Sequence, residues 1–224
     1  MRSGKFLKIT VIKYGETDIH EKMAFQDGNP EIKIPIDLLF FLIETKDKKI
    51  LVDAGCDTMP GFTLKKFKKP VDVLESSGVL RGEITDVLVT HAHHDHIDGV
   101  RYYKNARVIL HKDEIVRAEK YLSENTKIVT FEDEYKITDD IKIKHIGGHS
   151  AGSSIVLVDT DEEKIVLCGD ECYLRENLVK QMPTGSSVNV KKSTDFVNEY
   201  RKKCYRTILF HEPELIDNIG SRRI

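Results

Sequence analysis

The stretch THAHHDHIDG, residues 90–99, constrains the chain more than any other segment. Four of the nine histidines fall within six positions of it, together with an aspartate. The run DVLVT directly before them has the apolar, β-branched pattern of a buried strand. Polar side chains that follow neighbouring strands lie close together at one edge of a layered α/β fold. The segment therefore predicts a fold that gathers functional groups at strand ends.

The side chains of this segment are of the types that bind metals. Imidazole and carboxylate groups suit divalent zinc, iron or manganese. In an extended loop His91 and His93 point to the same side, while Asp95 and His96, at a turn into the next helix, point to a neighbouring position. The segment thus indicates two adjacent metals, each of which needs more ligands. The candidates at other strand ends or beside glycines are His149 in GGHSAGS, Asp170 in LCGDE and His211 in LFHEP.

Strand-like runs dominate the rest of the sequence. The early ones lie at residues 6–14, 36–45 and 48–55, and the last two are spaced as a hairpin. Others precede the candidate ligands, and helical patterns cover 71–78, 111–122 and 190–204. No internal repeat or long linker divides the chain, so we expect one domain over residues 1–224. Many strands with helices between them predict two packed sheets covered by helices.

Composition limits the partners. Charged residues are 32% of the chain but the net charge is only −2, which argues against a nucleic-acid or anionic-membrane binder. The four cysteines form no CxxC pair and indicate no disulfide framework. Lys5, Lys8 and Lys13 break the apolar core of a signal peptide, and no run approaches the ~20 apolar residues of a membrane span. We expect a cytoplasmic protein with a small-molecule substrate; a homodimer is compatible with these features.

Taken in order, the motifs resemble those of the metallo-β-lactamase superfamily. Its HxHxDH signature appears at residues 91–96, and its later histidine, aspartate and histidine match His149, Asp170 and His211. Its earlier aspartate after a strand matches Asp53 in the run VDAG. The resemblance spans roughly residues 36–215. It implies an α/β fold, an αββα sandwich of two mixed β-sheets flanked by helices.

The resemblance also implies a dinuclear metal site with a bridging hydroxide that attacks a substrate carbonyl. The ions would be zinc in the first place, with iron or manganese as alternatives. Asp53 would orient a ligand from behind, and the catalytic set would include Asp95 and Asp170. The implied ligands are His91, His93 and His149 for one ion, Asp95, His96 and His211 for the other, and Asp170 as a bridge between both.

The segment DECY, residues 170–173, refines the comparison. It is similar to N-acyl-homoserine lactonases, in which a tyrosine three positions after the aspartate contacts the substrate carbonyl region. Tyr173 would then act as an electrophilic helper, and the favoured substrate is a lactone or ester. The segment 56–85 is shorter than in those lactonases, which would alter the pocket rim. Met23 and Phe25, in the loop between the first long strands, are candidates for a substrate lip.

Three alternatives stay open. A glyoxalase-II-like thioesterase or another metal-dependent hydrolase would share the ligands, although glyoxalase-II-type enzymes typically carry a helical domain after the last histidine. A serine α/β-hydrolase is suggested by GHSAG, with Ser150, Asp170 and His211 in triad order, but a strand-like run follows where a helix is required. A metal-binding protein without catalysis is the third. A dinuclear hydrolase is favoured because all seven ligand positions hold suitable residues. His20, His94, His111 and His145 are not assigned to the metals.

Overall fold

The computed structural model describes residues 6–224, so Lys5 lies outside the described residues. In chain order the strands are β1 (Leu7–His20), β2 (Lys33–Thr45), β3 (Lys49–Val52), β4 (Asp86–Leu88), β5 (Arg107–His111), β6 (Lys127–Phe131), β7 (Glu134–Lys136), β8 (Ile141–His145), β9 (Ser154–Asp159), β10 (Lys164–Leu167), β11 (Tyr205–Ile208) and β12 (Gly220–Arg223). The α-helices are α1 (Glu21–Ala24), α2 (Pro70–Ser76), α3 (His94–Ile97), α4 (Ile115–Ala118), α5 (Arg175–Lys180) and α6 (Val190–Tyr200).

The strands of residues 6–224 form two mixed sheets. The first has the order β12-β1-β2-β3-β4-β5-β6, and the second has the order β11-β10-β9-β8-β7. In the first sheet β3, β4, β5 and β6 run parallel to one another, whereas β1 pairs antiparallel with both β2 and β12. In the second sheet β10 and β11 are parallel and the other pairs are antiparallel. The register of β2 with β3 confirms the predicted hairpin.

Both faces of the first sheet are buried at β2, which explains the nearly continuous apolar run LLFFLI in that strand. Successive side chains of a strand point to opposite faces. Phe41 and Ile43 accordingly pack into a core shared with the second sheet, while Phe40 and Leu42 pack into a separate core on the outer face. The two sheets therefore lie face to face across the first core.

Helices cover the outer faces. Val73 and Leu74 of α2 join the outer core of the first sheet, whereas Phe196 and Tyr200 of α6 pack against the second sheet. The layers are helix, sheet, sheet and helix, which confirms the predicted αββα sandwich. No helix within residues 6–224 is long and apolar enough to cross a membrane.

The helix expected over residues 111–122 was wrong in its extent. His111 is the last residue of β5, and a 3₁₀ turn, the short helix α4 and a second 3₁₀ turn follow it. The side chain of His111 accepts a hydrogen bond from the backbone N–H of Asp113. The carboxylate of Glu114 turns into the interior, where it binds the backbone of other segments. These bonds fix an irregular path in place of one regular helix. The helix expected over 190–204 also ends earlier, at Tyr200.

Candidate metal centre

Strand ends bring the predicted ligands to one edge of the sandwich. Asp53 follows β3 and His91 follows β4, and because these strands are parallel their carboxyl ends lie side by side. In the second sheet Asp170 follows β10 and His211 follows its parallel neighbour β11. His149 lies before β9, which runs antiparallel to β10, so it reaches the same edge. The topology thus collects residues that are far apart in sequence.

Four side chains form a first cluster, defined here as His91, His93, His149 and Asp170. One ligand atom from each lies within 4.8 Å of the others. The His149 Nε2 atom is 2.9 Å from His93 Nδ1 and 3.4 Å from Asp170 Oδ2, and His91 Nε2 is 3.7 Å from that same oxygen. The imidazole nitrogens therefore surround one oxygen of Asp170.

A second cluster, defined as Asp95, His96 and His211, lies on the other side of Asp170. The Nε2 atoms of His96 and His211 are each 3.0 Å from Asp170 Oδ1. Asp95 Oδ2 is 3.5 Å from His96 Nε2. One carboxylate oxygen of Asp170 thus faces each cluster, which is the arrangement that a bridging ligand requires.

The tautomers of two histidines in the second cluster follow from their outer hydrogen bonds. Nδ1 of His96 lies 2.7 Å from Asp53 Oδ2, and Nδ1 of His211 lies 2.9 Å from the backbone carbonyl oxygen of Asp37. Both partners are acceptors, so each Nδ1 carries the proton and donates it. Nε2 is therefore the atom of each ring that is left to bind a metal once it loses its proton, and it faces Asp170. Outer partners of this kind orient metal-binding histidines.

Two histidines of the first cluster are fixed in the same way through hydroxyl groups. Thr90 Oγ1 donates to Asp53 at 2.8 Å and lies 3.1 Å from Nδ1 of His91, so it accepts from that ring. Ser186 Oγ donates to the hydroxyl of Tyr173 at 3.2 Å and lies 3.3 Å from Nδ1 of His149. Both rings consequently also direct the Nε2 lone pair at the centre.

The buried atoms of the site fit a cation. The Nε2 atom of His91 is buried without a hydrogen-bond partner among residues 6–224. Leaving buried polar atoms unpaired costs about 1–3 kcal/mol each. The donor set of imidazole nitrogens and carboxylate oxygens suits a divalent ion such as zinc, iron or manganese. These residues are therefore suited to hold metal ions.

Burial and charge set the protonation states that metal binding needs. Burial lowers the pKa of His91 well below its usual value and the pKa of His149 to about 4, so both rings are neutral near pH 7. Burial opposes ionisation of Asp170, but the surrounding histidines outweigh it and hold the pKa of this carboxyl well below its usual value. Burial lowers the pKa of His96 and His211, but Asp170 outweighs it and raises both above the ordinary value. Binding of a cation at the second cluster would therefore release protons.

Tyr173 lies at the same centre. Its side chain is buried, and its ring centroid is 4.9 Å from that of His211 and 6.0 Å from that of His149. Burial, reinforced by the charge of Asp170, raises the pKa of Tyr173 well above the usual value, so the phenol keeps its proton. The structure thus places this hydroxyl beside ligands of both clusters.

The predicted lip residues belong to α1 and the turn after it rather than to an open loop. Met23 is half-buried and Phe25 is buried, and both belong to the outer core of the first sheet, which also includes Tyr173. The backbone carbonyl of Met23 accepts from the N–H of Ser186 at 3.2 Å. An added Cβ at Gly185 would overlap the backbone oxygen of Lys22, so glycine permits this close approach. The segment of Met23 therefore contacts the loop whose Ser186 side chain hydrogen-bonds His149.

The remaining histidines take other roles. His94 lies 3.1 Å from the hydroxyl of Tyr121 and belongs to neither cluster. His111 and His145 stack at 3.9 Å between ring centroids. His20 is exposed. None of them belongs to either of the two clusters of the described residues that could hold a metal.

The serine of GHSAG has no histidine partner among the bonds of residues 6–224. Its hydroxyl is buried and donates to Glu114 Oε1 at 2.6 Å. Strand β9 follows the motif, where a nucleophile elbow requires a helix. The structure therefore gives no support to the serine α/β-hydrolase alternative.

Sequence reasoning missed the residues that support the ligands from behind. Thr90 and Ser186 bind imidazoles of the two clusters, and the buried carboxylates of Glu114 and Glu171 bind the backbone of the loops that carry those imidazoles. The position of Thr90 next to His91 was the one available signal. The others are distant in sequence from the residues that they touch, and their partners are mostly backbone groups.

A two-sheet sandwich with imidazoles and carboxylates collected at one edge defines the class of metal-binding αββα proteins. The sequence model of the metallo-β-lactamase superfamily matches residues 39–180, which is more than half of the chain. The chain therefore belongs to the metallo-β-lactamase superfamily, as the motifs indicated.

Curated relatives include N-acyl homoserine lactonases. That of Bacillus cereus is 27% identical over 169 residues, which cover 64% of this chain and 67% of that protein. That of Agrobacterium fabrum is 20% identical over 260 residues, with 92% of this chain and 94% of that protein covered. A probable metallo-hydrolase of Methanocaldococcus jannaschii is 28% identical over 164 residues and covers 73% of this chain and 70% of its own length.

Solved structures share the fold. An N-acyl homoserine lactone hydrolase with the product N-hexanoyl-L-homoserine bound at its catalytic metal centre superposes with a TM-score of 0.80. It is 20% identical, and the match covers 92% of this chain and 94% of that one. A dizinc quorum-quenching lactonase has a TM-score of 0.77 at 16% identity, covering 99% and 95% of the two chains. The likeness extends over nearly the whole sandwich.

Proposed function

We propose that the chain is a dinuclear metal-dependent hydrolase that opens a lactone ring, with N-acyl homoserine lactones as the favoured substrates. One observation carries the proposal: Asp170 presents one carboxylate oxygen to each of two imidazole-rich clusters. The lactonase relatives support the substrate class. The net charge of −2 agrees with a small molecule rather than a nucleic acid or a membrane surface.

The ligand assignment is part of the proposal. The first and second clusters would each hold one divalent ion, with Asp170 between them. Zinc is favoured because a related structure is a dizinc enzyme, and iron and manganese suit the same donors. When bound, such ions polarise a carbonyl and lower the pKa of water, so that hydroxide is available near neutral pH.

The chain's own residues would orient the reaction. Asp53 and the carbonyl of Asp37 accept from Nδ1 of His96 and His211, which leaves the inner Nε2 atom of each ring to bind a metal. The Tyr173 hydroxyl accepts from Ser186 and also hydrogen-bonds Asp170, so it would have to turn its proton from that carboxylate to a substrate carbonyl oxygen. Such a donor stabilises negative charge that develops on that oxygen.

The substrate lip remains a proposal that the packing supports. Met23 and Phe25 share an apolar core with Tyr173, and the backbone of Met23 is bonded to Ser186. An acyl chain attached to the lactone would contact apolar surface at this position. We expect Met23→Lys to raise KM for long-chain lactones more than for short-chain ones.

Other properties also remain proposals. One domain over residues 1–224 agrees with the pairing of β1 near one end with β12 near the other. A homodimer, testable by sedimentation, and a cytoplasmic location, testable by cell fractionation, stay predictions.

The proposed function is tested by a substrate panel with protein reconstituted with zinc. Ring opening of N-hexanoyl homoserine lactone is compared with hydrolysis of a glutathione thioester, a phosphodiester and a β-lactam. We expect the highest kcat/KM on the lactone and loss of activity after chelation. Fastest turnover of the thioester would instead favour the glyoxalase-II-like alternative. Metal binding without hydrolysis of any substrate would favour a non-catalytic role.

A further inference from the structure

The buried carboxylate of Glu114 joins two segments of the chain. Its Oε2 atom accepts from the backbone N–H of Ala92 at 2.8 Å. Its Oε1 atom accepts from the hydroxyl of Ser150 at 2.6 Å and from the N–H of Gly152 at 3.0 Å. The residue is 2% exposed and forms no ion pair among residues 6–224.

These partners are the neighbours of the first-cluster histidines. Ala92 lies between His91 and His93, while Ser150 directly follows His149. One carboxylate therefore fixes the relative position of both segments that supply imidazoles to one site. Burial opposes its ionisation, but the three donors outweigh it and lower the pKa of Glu114, so the bonds are charge-assisted.

A second buried carboxylate, Glu171, binds only one of the two segments. It accepts from the N–H groups of Gly148 and His149 at 3.1 and 3.3 Å and from the hydroxyl of Ser153. It holds the His149 loop but does not reach the loop of His91 and His93. Of these two carboxylates, Glu114 is therefore the one that binds both segments.

The packing leaves Glu114 no access to substrate. A Cβ added at Gly152 would lie 2.7 Å from Glu114 Cγ and 2.8 Å from His111 Nδ1. Ser150 is also buried, at 2% exposure. The carboxylate and the hydroxyl are enclosed behind the ligands, where they act on the site only through the residues that they hold.

We propose that Glu114 is a positioning residue for the first metal site, and that Ser150 of the GHSAG motif is its tether to the His149 loop. The inference rests on the proposed assignment of the first cluster as a metal site. It gives the serine motif a structural purpose in a protein that does not use it as a nucleophile.

The test measures zinc affinity at each cluster separately, by competition with a chromophoric chelator. A His211→Ala background removes a ligand of the second cluster, and a His149→Ala background removes one of the first. Glu114→Gln keeps the size of the side chain but replaces one acceptor oxygen with a donor. We expect it to weaken zinc binding about 10- to 100-fold in the His211→Ala background. In the His149→Ala background the affinity should not change.

A matched control separates positioning from general stability. Asp86 is a buried carboxylate at the opposite end of β4, where it pairs with Lys48 and Arg107. Asp86→Asn should lower the thermal midpoint of the metal-free protein without changing zinc affinity. If Glu114→Gln behaves in the same way, with unchanged affinity at the first cluster, the positioning role is overturned.

Ser150→Ala provides a second variant in case Glu114→Gln does not fold. It removes one of the three bonds and should weaken zinc at the first cluster by about tenfold. Unchanged zinc affinity in this variant overturns the tether. Wild-type protein that binds neither zinc, iron nor manganese would overturn the proposed function, and this inference with it, whereas the variant results overturn the inference alone.

Discussion

The hydrogen bond between Asp53 and His96 gives a sharp prediction, because it decides which nitrogen of the ring faces the second cluster. In Asp53→Asn the amide oxygen can still accept from the N–H of Thr90, where Asp53 Oδ1 accepts at 2.7 Å. The amide nitrogen then takes the place of Oδ2 and confronts the proton on His96 Nδ1. Either this hydrogen bond is lost or the ring moves its proton to Nε2, which removes the lone pair that faces the metal site.

The magnitude follows from the bond that is lost. A buried hydrogen bond to a charged group contributes about 1.5–3 kcal/mol. That free energy corresponds to a loss of about 10- to 100-fold in affinity for the second ion, the range usual for outer partners of metal ligands. The backbone is not the cause, because Asp53 has a φ of 61° and asparagine tolerates this left-handed conformation.

The assay is a zinc titration of the metal-free protein that resolves the two sites, with Asp86→Asn as the control for loss of a buried carboxylate. We expect Asp53→Asn to weaken the second cluster by this factor and the first cluster by less, because Asp53 reaches the first cluster only through the hydroxyl of Thr90, which lies 3.1 Å from Nδ1 of His91. If both ions bind to Asp53→Asn with wild-type affinity, the argument from the tautomer of His96 is refuted.

Three further changes test other parts of the site. Tyr173→Phe should keep both ions and lower kcat on the lactone about tenfold, because a bound metal would share the stabilisation of the same oxygen. The check is steady-state kinetics with metal content measured on the same sample. A wild-type kcat in this variant would exclude the role of the hydroxyl. Asp170→Asn should lose metal and activity together, and elemental analysis showing two retained ions per chain would contradict its bridging position. Burial, reinforced by His145, lowers the pKa of His111, so the stability that its neutral ring contributes is present above about pH 6.5 and lost as the pH falls. His111→Gln should therefore flatten the fall in thermal midpoint of the metal-free protein between about pH 7 and pH 5, and a fall parallel to that of the wild type would disprove the assignment.

Side-chain chemistry at fixed spacing was the part of the site that could be predicted from sequence. His91, His93, Asp95 and His96 follow a strand in one segment, and strand ends supplied the other candidates. The structure brings them together because parallel neighbours share an edge. The outer support could not be predicted in this way. Glu114 binds mostly backbone N–H groups. Nearly every residue type has this group, so a sequence does not indicate which residues will be its partners.

The strands also differ in whether a local sequence pattern could predict them. Runs such as LLFFLI predicted β2 because both of its faces are buried. In contrast β12, with the sequence GSRR, carries no apolar alternation and is held at the sheet edge by backbone pairing with β1. Its partner is distant in sequence, so no local pattern could indicate the pairing.

The pairing of β1 with β12 has a consequence for the order of folding during synthesis. β1 can pair with β2 as soon as the hairpin has emerged from the ribosome, but β12 lies at the other end of the described chain, where the N–H of Ile224 bonds the carbonyl of Ile9. Contacts between residues so distant in sequence form late. Until then the 14-residue strand β1 presents an open edge, which is a template for aggregation. Nascent or truncated chains that lack the last strand should therefore depend on chaperones more than the complete sheet does.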